Sequence, residues 1–414
     1  MIDPCSIAPR PLLTLEAALT ELDQAIIPIT ELETISLAHS LGRVLGSTLT
    51  SPIDIPYDRN AAMDGYAFSS LDQHSDNAFE LRQVGISWAG KPFDGTLESG
   101  QCVRIFTGAK VPDFADSVIM QEQVTVNGMT VRLPDNTPIK QNIRAAGEDV
   151  KQDQVLCVAP KQLTPIDMGL LAAAGISTVQ VKRRLKIQFF STGDELIPTS
   201  EPPQSGKIYD SNRYLLHGLL HHPCYQVVDG GVLVDDPQYI EEALGKAAES
   251  FDVILTTGGA SVGDADYVTQ TLRRLGAIQF WKIAIKPGKP FAFGKIGRCY
   301  FFGLPGNPLA VTVTFKQLVM PALARIMGLA PKQPLRFKAI CTNRLKKSPG
   351  RLEFQNGILR PDGQGGFVVT STGHQGSHLM SSQQQANCHI VLPTECNGVQ
   401  AGEPVEVEPF STFL

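Results

Sequence analysis

Apolar residues first recur at helical spacing at Leu15, Ala18, Leu19, Leu22 and Ile26, behind Thr14, which suits an N-cap, so the chain is expected to open on a helix. A second short helix is expected around Ala38 to Leu45. From Ser51 to about Arg144 the pattern turns strand-like with Gly and Pro punctuation, and Val124 to Leu133 reads as a hairpin whose Asn127-Gly128 suits a type I′ turn. Thr164-Pro165 and Asp167 then start a capped helix, Met168 to Ala174, which Gly175 ends. Between Leu185 and Gly328 strand, loop and helix alternate. Strands are expected at Lys186 to Phe190, Tyr225 to Val228, Val253 to Leu255 and Tyr300 to Phe302. Helices are expected at Ser211 to His221, from the Asp236-Pro237 cap through Ala248, at Ala265 to Leu275, and at Leu309 to Met327. That alternation predicts an α/β domain with a largely parallel sheet and helices on both faces. After Ala330 short strands return, including Gly366 to Thr370, His389 to Leu392 and Val405 to Val407, as in a small β barrel or sandwich.

The 414 residues are enough for two to four domains at about 150 residues each, which fits these changes of pattern. No apolar run is read as approaching the roughly 18 residues of a membrane helix, and the first ten residues hold an acid and two prolines where a signal peptide needs an apolar stretch. A cytoplasmic protein without a membrane partner is expected. The eight cysteines are scattered with no C-x-x-C pair, which disfavours a zinc site and a disulfide framework and suggests free thiols. The formal charge of −5 conceals an asymmetry: Tyr267 to Leu352 holds no Asp or Glu and 16 Lys or Arg, leaving −21 on the other residues. Such a basic segment focuses anions. Without an RNP-type, zinc-finger or basic-zipper pattern, a small anion is favoured over nucleic acid.

In an open α/β sheet, ligands bind beyond the carboxyl ends of the strands. Four glycine- and proline-rich loops fall there, at 191–195, 256–264, 286–290 and 303–308, and hold 11 of the 66 Gly and Pro residues within 25 positions, a nearly threefold enrichment. Glycine lets backbone N–H groups approach an anion; each loop alone reads better as a tight βα turn, and several in one domain shift the balance toward a phosphate or oxyanion site. Neither G-x-x-x-x-G-K-[ST] nor G-x-G-x-x-G occurs, which argues against a P-loop ATPase and a Rossmann dehydrogenase. Lys282, Lys286 and Lys289 suit a polyanion, with Glu195, Asp264 and Asp266 as candidates to hold Mg²⁺ beside it. An N-cap is the other reading of Asp264 and Asp266. His217 and His221 stand at i, i+4 but lack a third ligand with metal spacing, so with His222 they are read as structural or surface residues. Trp88 and Trp281 are read as packing residues.

These loops, together with Asn60 to Ala67, Arg104 to Ala109, Asn142 to Arg144, Gly147 to Asp149, Tyr209 to Asn212 and Trp281 to Pro290, closely resemble the molybdopterin molybdotransferase family, the MoeA proteins and the E domain of gephyrin, over essentially the whole chain. The resemblance implies a transferase of molybdenum cofactor synthesis that inserts molybdenum from molybdate into adenylylated molybdopterin and releases AMP with Mg²⁺ present. It implies a split first domain (1–50 and 146–182), an inserted β domain (51–145), an α/β molybdopterin-binding domain (183–329) and a C-terminal β barrel-like domain (330–414). It also implies a homodimer whose site is shared between subunits, with Asp64, Thr107 and Asp149 brought to the α/β loops. Transient contact with a molybdopterin adenylyltransferase and with molybdoenzyme maturation proteins follows, with no nucleic acid.

Catalytic roles are expected for Asp64, Asp149, Glu195, Asp235, Asp266, Lys282 and Lys286. Binding roles are expected for Thr107, Ser191, Thr192, Gly193, Asp210, Ser211, Asn212, Gly258, Gly259, Ser261, Gly263, Asp264, Lys289, Pro305, Gly306 and Asn307. Arg351, Ser377 and Ser381 are candidates from the C-terminal domain, where a solvated loop is the rival reading. An adenylyltransferase shares such an α/β domain, but the two additional β regions argue against it, and a binding scaffold would not need these charged positions.

Overall fold

The computed structural model describes residues 12–75, 77–258, 271, 272, 274–373 and 375–410. The chain divides into two compact units, Met1–Leu32 with Lys182–Leu414, and Glu33–Val181.

In the larger unit a six-stranded sheet runs in the order Tyr225–Leu233, Leu185–Thr192, Val253–Thr257, Cys299–Leu304, Pro290–Ile296, Ala277–Lys282. The first four strands are parallel, as the alternation predicts. The last two are antiparallel, a hairpin that the sequence pattern does not disclose. Asp236 caps the helix Pro237–Ser250 by accepting from the amides of Gln238 and Tyr239 at 2.8 and 2.9 Å, and the helix buries Ile240 and Leu244 with Phe190, Leu233, Ile254 and Phe301 of the sheet. Most of the helix expected at 265–275 lies outside the described residues.

The helix expected at Leu309 to Met327 is a continuous rod, Pro308–Thr314, a π-turn Phe315–Val319, and Met320–Ile326. Its mean hydropathy of 1.3 over a membrane-length window corrects the expectation that no apolar run reaches that length, and 67% of the window is buried inside the fold. It is apolar because it is covered. The helix Leu15–Ala25, capped by Thr14, packs against this rod, with an ion pair from Asp23 to Arg325.

The C-terminal strands form a closed five-stranded barrel. Leu352–Pro361 pairs with Phe367–Ser371, then follow Phe337–Cys341, Pro404–Pro409 and Cys388–Leu392, which pairs back onto Leu352–Pro361. Its interior holds Cys341, Val369, Ile390 and Val407. Leu352–Pro361 escapes the alternation rule because it buries five consecutive residues, including the polar Glu353, Gln355 and Asn356.

His389 is 1% exposed, set edge-on between Phe354 and Phe410, and neither ring nitrogen has a hydrogen-bond partner. Burial, followed by the nearby cation Lys316, pushes its pKa from 6.5 down to about 3, with Arg336 acting in the same direction and Glu408 opposing. The folded state therefore rejects a proton that the unfolded chain accepts. Stability is full above pH 6.5 and falls as the pH drops toward 3, by on the order of 3 kcal/mol at pH 4. His389→Phe is expected to flatten this part of a urea-midpoint-against-pH curve; an unchanged curve would contradict the assignment.

The smaller unit carries a six-stranded sheet in the order Ser117–Met120, Gly65–Phe68, Gln101–Ile105, Phe79–Ser87, Thr130–Leu133, Thr125–Asn127. Gly65 is required there, since a Cβ would lie 1.8 Å from the Ile119 carbonyl oxygen. The expected hairpin forms one residue out of step: Asn127 pairs with Thr130, so Gly128 and Met129 are the central residues. Gly128 has φ +60° and Met129 is not among the positive-φ residues, the pattern of a type II′ turn rather than I′. The helix expected at 38–45 is instead a 3₁₀ turn, Leu37–His39, followed by the strand Val44–Leu45, which pairs with Lys161–Gln162. Pro165–Ala173 is helical as expected, with a full capping box between Thr164 and Asp167.

Candidate functional site

The ends of two parallel strands of the larger unit and the start of the helix Ser211–Leu219 collect polar atoms that find no partner. Ser191 Oγ, Thr256 Oγ1, Asp210 Oδ2 and Asn212 Oδ1 are all buried without a hydrogen bond. Ser191 pairs with Thr257 across the sheet and Thr256 with Gly303, while Asn212 donates to the Gly306 carbonyl at 2.7 Å and Asp210 caps Ser211–Leu219. Buried polar atoms are almost always satisfied, so four orphans at one edge mark a place built for a polar ligand.

Glycines let the backbone pack closely at that edge. Gly258 has φ +83°, and a Cβ there would lie 2.4 Å from Thr192 Oγ1 and 2.9 Å from the Thr192 carbonyl oxygen. Thr192 itself donates to the Thr257 carbonyl at 3.0 Å. Gly193 has φ +133°, and Glu195 folds back over it, since a Cβ there would meet Glu195 Oε2 at 2.4 Å. Pro305 is buried, whereas Gly306 and Asn307 are exposed just ahead of the rod that begins at Pro308.

An acidic group stands beside these loops. The Asp235 amide donates to Asp194 Oδ1 at 3.3 Å, and partial burial followed by the charges of Asp194 and Glu195 raises the Asp235 carboxyl above its ordinary pKa of 3.8. None of the three is in an ion pair among the described residues. Asp194 is not singled out by the sequence, although it lies in the Ser191 to Glu195 loop. Gly259, Ser261, Gly263, Asp264 and Asp266 lie outside the described residues.

The three lysines sit on one hairpin. Lys282 and Pro290 are its paired ends, and the Ile283 amide donates to the Lys289 carbonyl at 2.7 Å. Lys282 and Lys289 are exposed, but Lys286 is engaged: its Nζ lies 3.2 Å from Oε1 of Glu353, whose side chain is only 5% exposed. Ile285–Lys286 adds in parallel to the barrel strand Leu352–Pro361, and the Leu352 amide donates to the Ala284 carbonyl at 2.8 Å, which brings Arg351 to the hairpin. The Leu309 amide donates to the Ser377 carbonyl at 3.2 Å, so the loop holding Ser377 lies at the start of the rod after 303–308. Ser381 is exposed on Met380–Gln385 with no bond to the other candidates among the described residues. Sequence reasoning missed Glu353, although it is the first acid after the acid-free segment.

Within the smaller unit, Asp64 Oδ1 accepts from the Thr107 hydroxyl at 2.7 Å and from its amide at 2.8 Å, and these bonds, hydroxyl first, hold the carboxyl below its usual range. Asp149 is exposed in a turn whose amide donates to the Ile55 carbonyl at 3.0 Å, and no bond joins it to Asp64 or Thr107 among the described residues. The helix after Ser211 ends at Leu219, short of the expected His221, so only His217 lies on it; beyond its end, His222 contacts Tyr225, and its Nδ1 accepts from the Cys224 amide at 3.2 Å.

An open α/β sheet with orphaned polar groups and an acidic cluster at its strand ends, joined through a lysine-bearing hairpin to a closed barrel, defines a class of enzyme that handles a polar, anionic substrate. The comparisons sharpen this. Three family models match in order: the MoeA N-terminal region (domain I and II) over 13–175, the probable molybdopterin binding domain over 188–325, and the MoeA C-terminal region (domain IV) over 338–410. The chain is 44% identical over 405 residues to a molybdopterin molybdenumtransferase of Haemophilus influenzae, covering 97% of this chain and all of that one. It is 34% identical to a protein of the same name from Nostoc, covering 91% and 88%. The crystal structure of the molybdopterin biosynthesis moeA protein of Pyrococcus horikoshii matches with a TM-score of 0.83 and 30% identity, over 96% of this chain and all of that one. The chain belongs to the molybdopterin molybdenumtransferase family, and is a transferase of molybdenum cofactor biosynthesis.

Proposed function

We propose that the protein inserts molybdenum from molybdate into adenylylated molybdopterin, releases AMP, requires Mg²⁺, and works as a cytoplasmic homodimer whose site is shared between subunits. The observation that carries the chemistry is the row of unsatisfied buried groups, Ser191, Thr256, Asp210 and Asn212, at the carboxyl edge of the sheet. A pyrophosphate and an oxyanion offer many acceptors, to which the Ser191 and Thr256 hydroxyls donate, whereas Asp210 Oδ2 and Asn212 Oδ1 are acceptors and suit donor groups on the same ligand. Lys282 and Lys289, exposed on their hairpin, neutralise the incoming anions. Lys286 is held by Glu353, which fixes its ammonium while keeping its charge. Glu353 thereby acts through Lys286 rather than on the substrate.

The acidic group fits Mg²⁺ by its chemistry. Its donors are all carboxylate oxygens, and Asp235, raised above its ordinary pKa first by partial burial and then by the charges of Asp194 and Glu195, has no cation beside it among the described residues. Among the described residues no three acids stand within joint ligating reach, which suits a cation that keeps several waters and takes one or two carboxylates plus substrate phosphates. Glu195 and Asp235 would hold it, with Asp194 accepting from the Asp235 amide beside them. The ion would offset charge on phosphate oxygens. The same reading includes the shared dimeric site and transient contact with an adenylyltransferase and with maturation proteins that receive the cofactor.

Incubating the purified protein with adenylylated molybdopterin and following AMP by chromatography tests this. AMP should appear only with both molybdate and Mg²⁺ and cease on chelation of the metal. Binding of the substrate without AMP release under full conditions would reject the reaction.

A further inference from the structure

The pairing of the barrel strand Leu352–Pro361 with Phe367–Ser371 ends at Gly357, which lies opposite Ser371. One residue earlier, at Asn356, a side chain takes over from the neighbouring strand. Gln375 Oε1 accepts from the Asn356 amide at 2.8 Å, and its Nε2 donates to the Asn356 carbonyl at 3.2 Å and to Ser371 Oγ at 2.9 Å. One side-chain amide thus answers both backbone groups of a strand residue, as a paired strand does. The Thr372 amide also donates to the Asn356 carbonyl, at 3.1 Å, and the Thr372 hydroxyl bonds that of Ser382 at 2.6 Å.

What these bonds hold is the segment that reaches the rod. The Ser377 carbonyl accepts from the Leu309 amide at 3.2 Å, and Gln383 Oε1 accepts from the Thr312 hydroxyl at 3.3 Å. Leu309 is the second residue of the rod, behind Asn307 at the cap and Pro308. Its amide is one of those that an asparagine cap ordinarily takes, yet Asn307 makes no side-chain cap bond. The Ser377 carbonyl has the amide instead, so Asn307 stays exposed with its side chain free at the end of the 303–308 loop. The Ser377 hydroxyl has no hydrogen bond among the described residues either. Three residues before Asn356, the same strand holds Lys286 through Glu353.

We propose that Gln375 is a positioning residue: by pinning its segment to the barrel strand it keeps the Ser377 carbonyl on the Leu309 amide, which leaves the Asn307 amide group and the Ser377 hydroxyl free to donate to an anion. The inference rests on the proposed function only in taking that anion to be part of the substrate named there.

Full-length wild type, Gln375→Met and Gln375→Glu test it, titrated calorimetrically with inorganic pyrophosphate in the absence of molybdate and Mg²⁺. Methionine keeps the length of the side chain and loses every bond above. Gln375→Met should bind pyrophosphate about tenfold or more weakly, the loss of one hydrogen bond to a charged group. Amide hydrogen exchange, read by mass spectrometry, should quicken over 303–312 while the barrel strands keep theirs. Gln375→Glu separates positioning from a general structural defect. As a carboxylate it has no proton to give the Asn356 carbonyl, whereas the neutral acid both accepts and donates there, so these bonds favour the protonated form. Its affinity relative to wild type at the same pH should therefore be low at about pH 8 and recover most of the loss at about pH 5.5. If Gln375→Met does not fold, as thermal melts would show, this recovery still decides the matter. No binding by wild type, an unchanged affinity in Gln375→Met, or no recovery of Gln375→Glu at the lower pH overturns the proposal, as does quickened exchange with the affinity intact. None of these readouts needs turnover. The full pattern in a protein that releases no AMP would reject the proposed reaction and leave the role of Gln375 standing.

Discussion

Replacing Lys286 by alanine is expected to weaken substrate binding about ten- to a hundredfold and, separately, to destabilise the protein by about 1–3 kcal/mol. The first effect is the loss of a charge-assisted contact to an anion, about 1.5–3 kcal/mol when made by a charged group. The second follows from Glu353, whose side chain is 5% exposed and would lose its cation. Breaking a fully buried pair costs about 3–5 kcal/mol, and the 45% exposure of the Lys286 side chain reduces that because water screens the pair. The two losses are separable. Lys286→Ala combined with Glu353→Gln should recover the urea midpoint and leave the affinity low, since the neutral amide that replaces the carboxylate buries no charge. The affinity defect should shrink at high salt, where surface charge is screened. A defect of the same size at every ionic strength would reject charge gathering, and an unchanged midpoint in the single variant would reject the pairing.

Glu408→Ala is expected to destabilise the larger unit by about 3–5 kcal/mol, the cost of removing one partner from a buried ionic network. Glu408 is 1% exposed and accepts from Gln317 at 2.8 Å and from Arg336 at 3.0 Å, with Lys316 at 2.9 Å. These charges hold its carboxyl below the ordinary range despite burial, the largest influence, which acts the other way. Lys316 and Gln317 lie on the apolar rod, Arg336 and Glu408 in the barrel region, so the network ties the two together. Glu406 supplies the contrast. It lies 3.7 Å from Arg336, but its side chain is 48% exposed, and Glu406→Ala should cost well under about 1 kcal/mol. Equal losses in the two variants, read from denaturation midpoints, would show that burial does not govern the difference.

Much of the fold is legible in the sequence wherever the signal is local. Thr14, Thr164 and Asp236 announce their helices because a cap needs only the next two or three amides, and all three make those bonds. The four parallel strands announce themselves as apolar runs between helices. Where local rules fail, burial or tertiary pairing has overridden them. Val44–Leu45 reads as helical and is a strand because it pairs with Lys161–Gln162. Leu352–Pro361 hides because closure of the barrel buries polar residues on it.

The candidate site divides along the same line. Composition alone located the glycine-rich loops, the acid-free segment and its lysines, since these are properties of neighbouring residues. Only the tertiary structure left one polar atom each of Ser191, Asp210, Asn212 and Thr256 buried without a partner, set Asp235 against Asp194, and gave Lys286 a buried counter-ion 67 residues further on. The physical reason is range. Capping, turn chemistry and hydrophobic period act within a few residues, whereas an orphaned acceptor or a paired charge is defined by what packing brings or withholds from far along the chain.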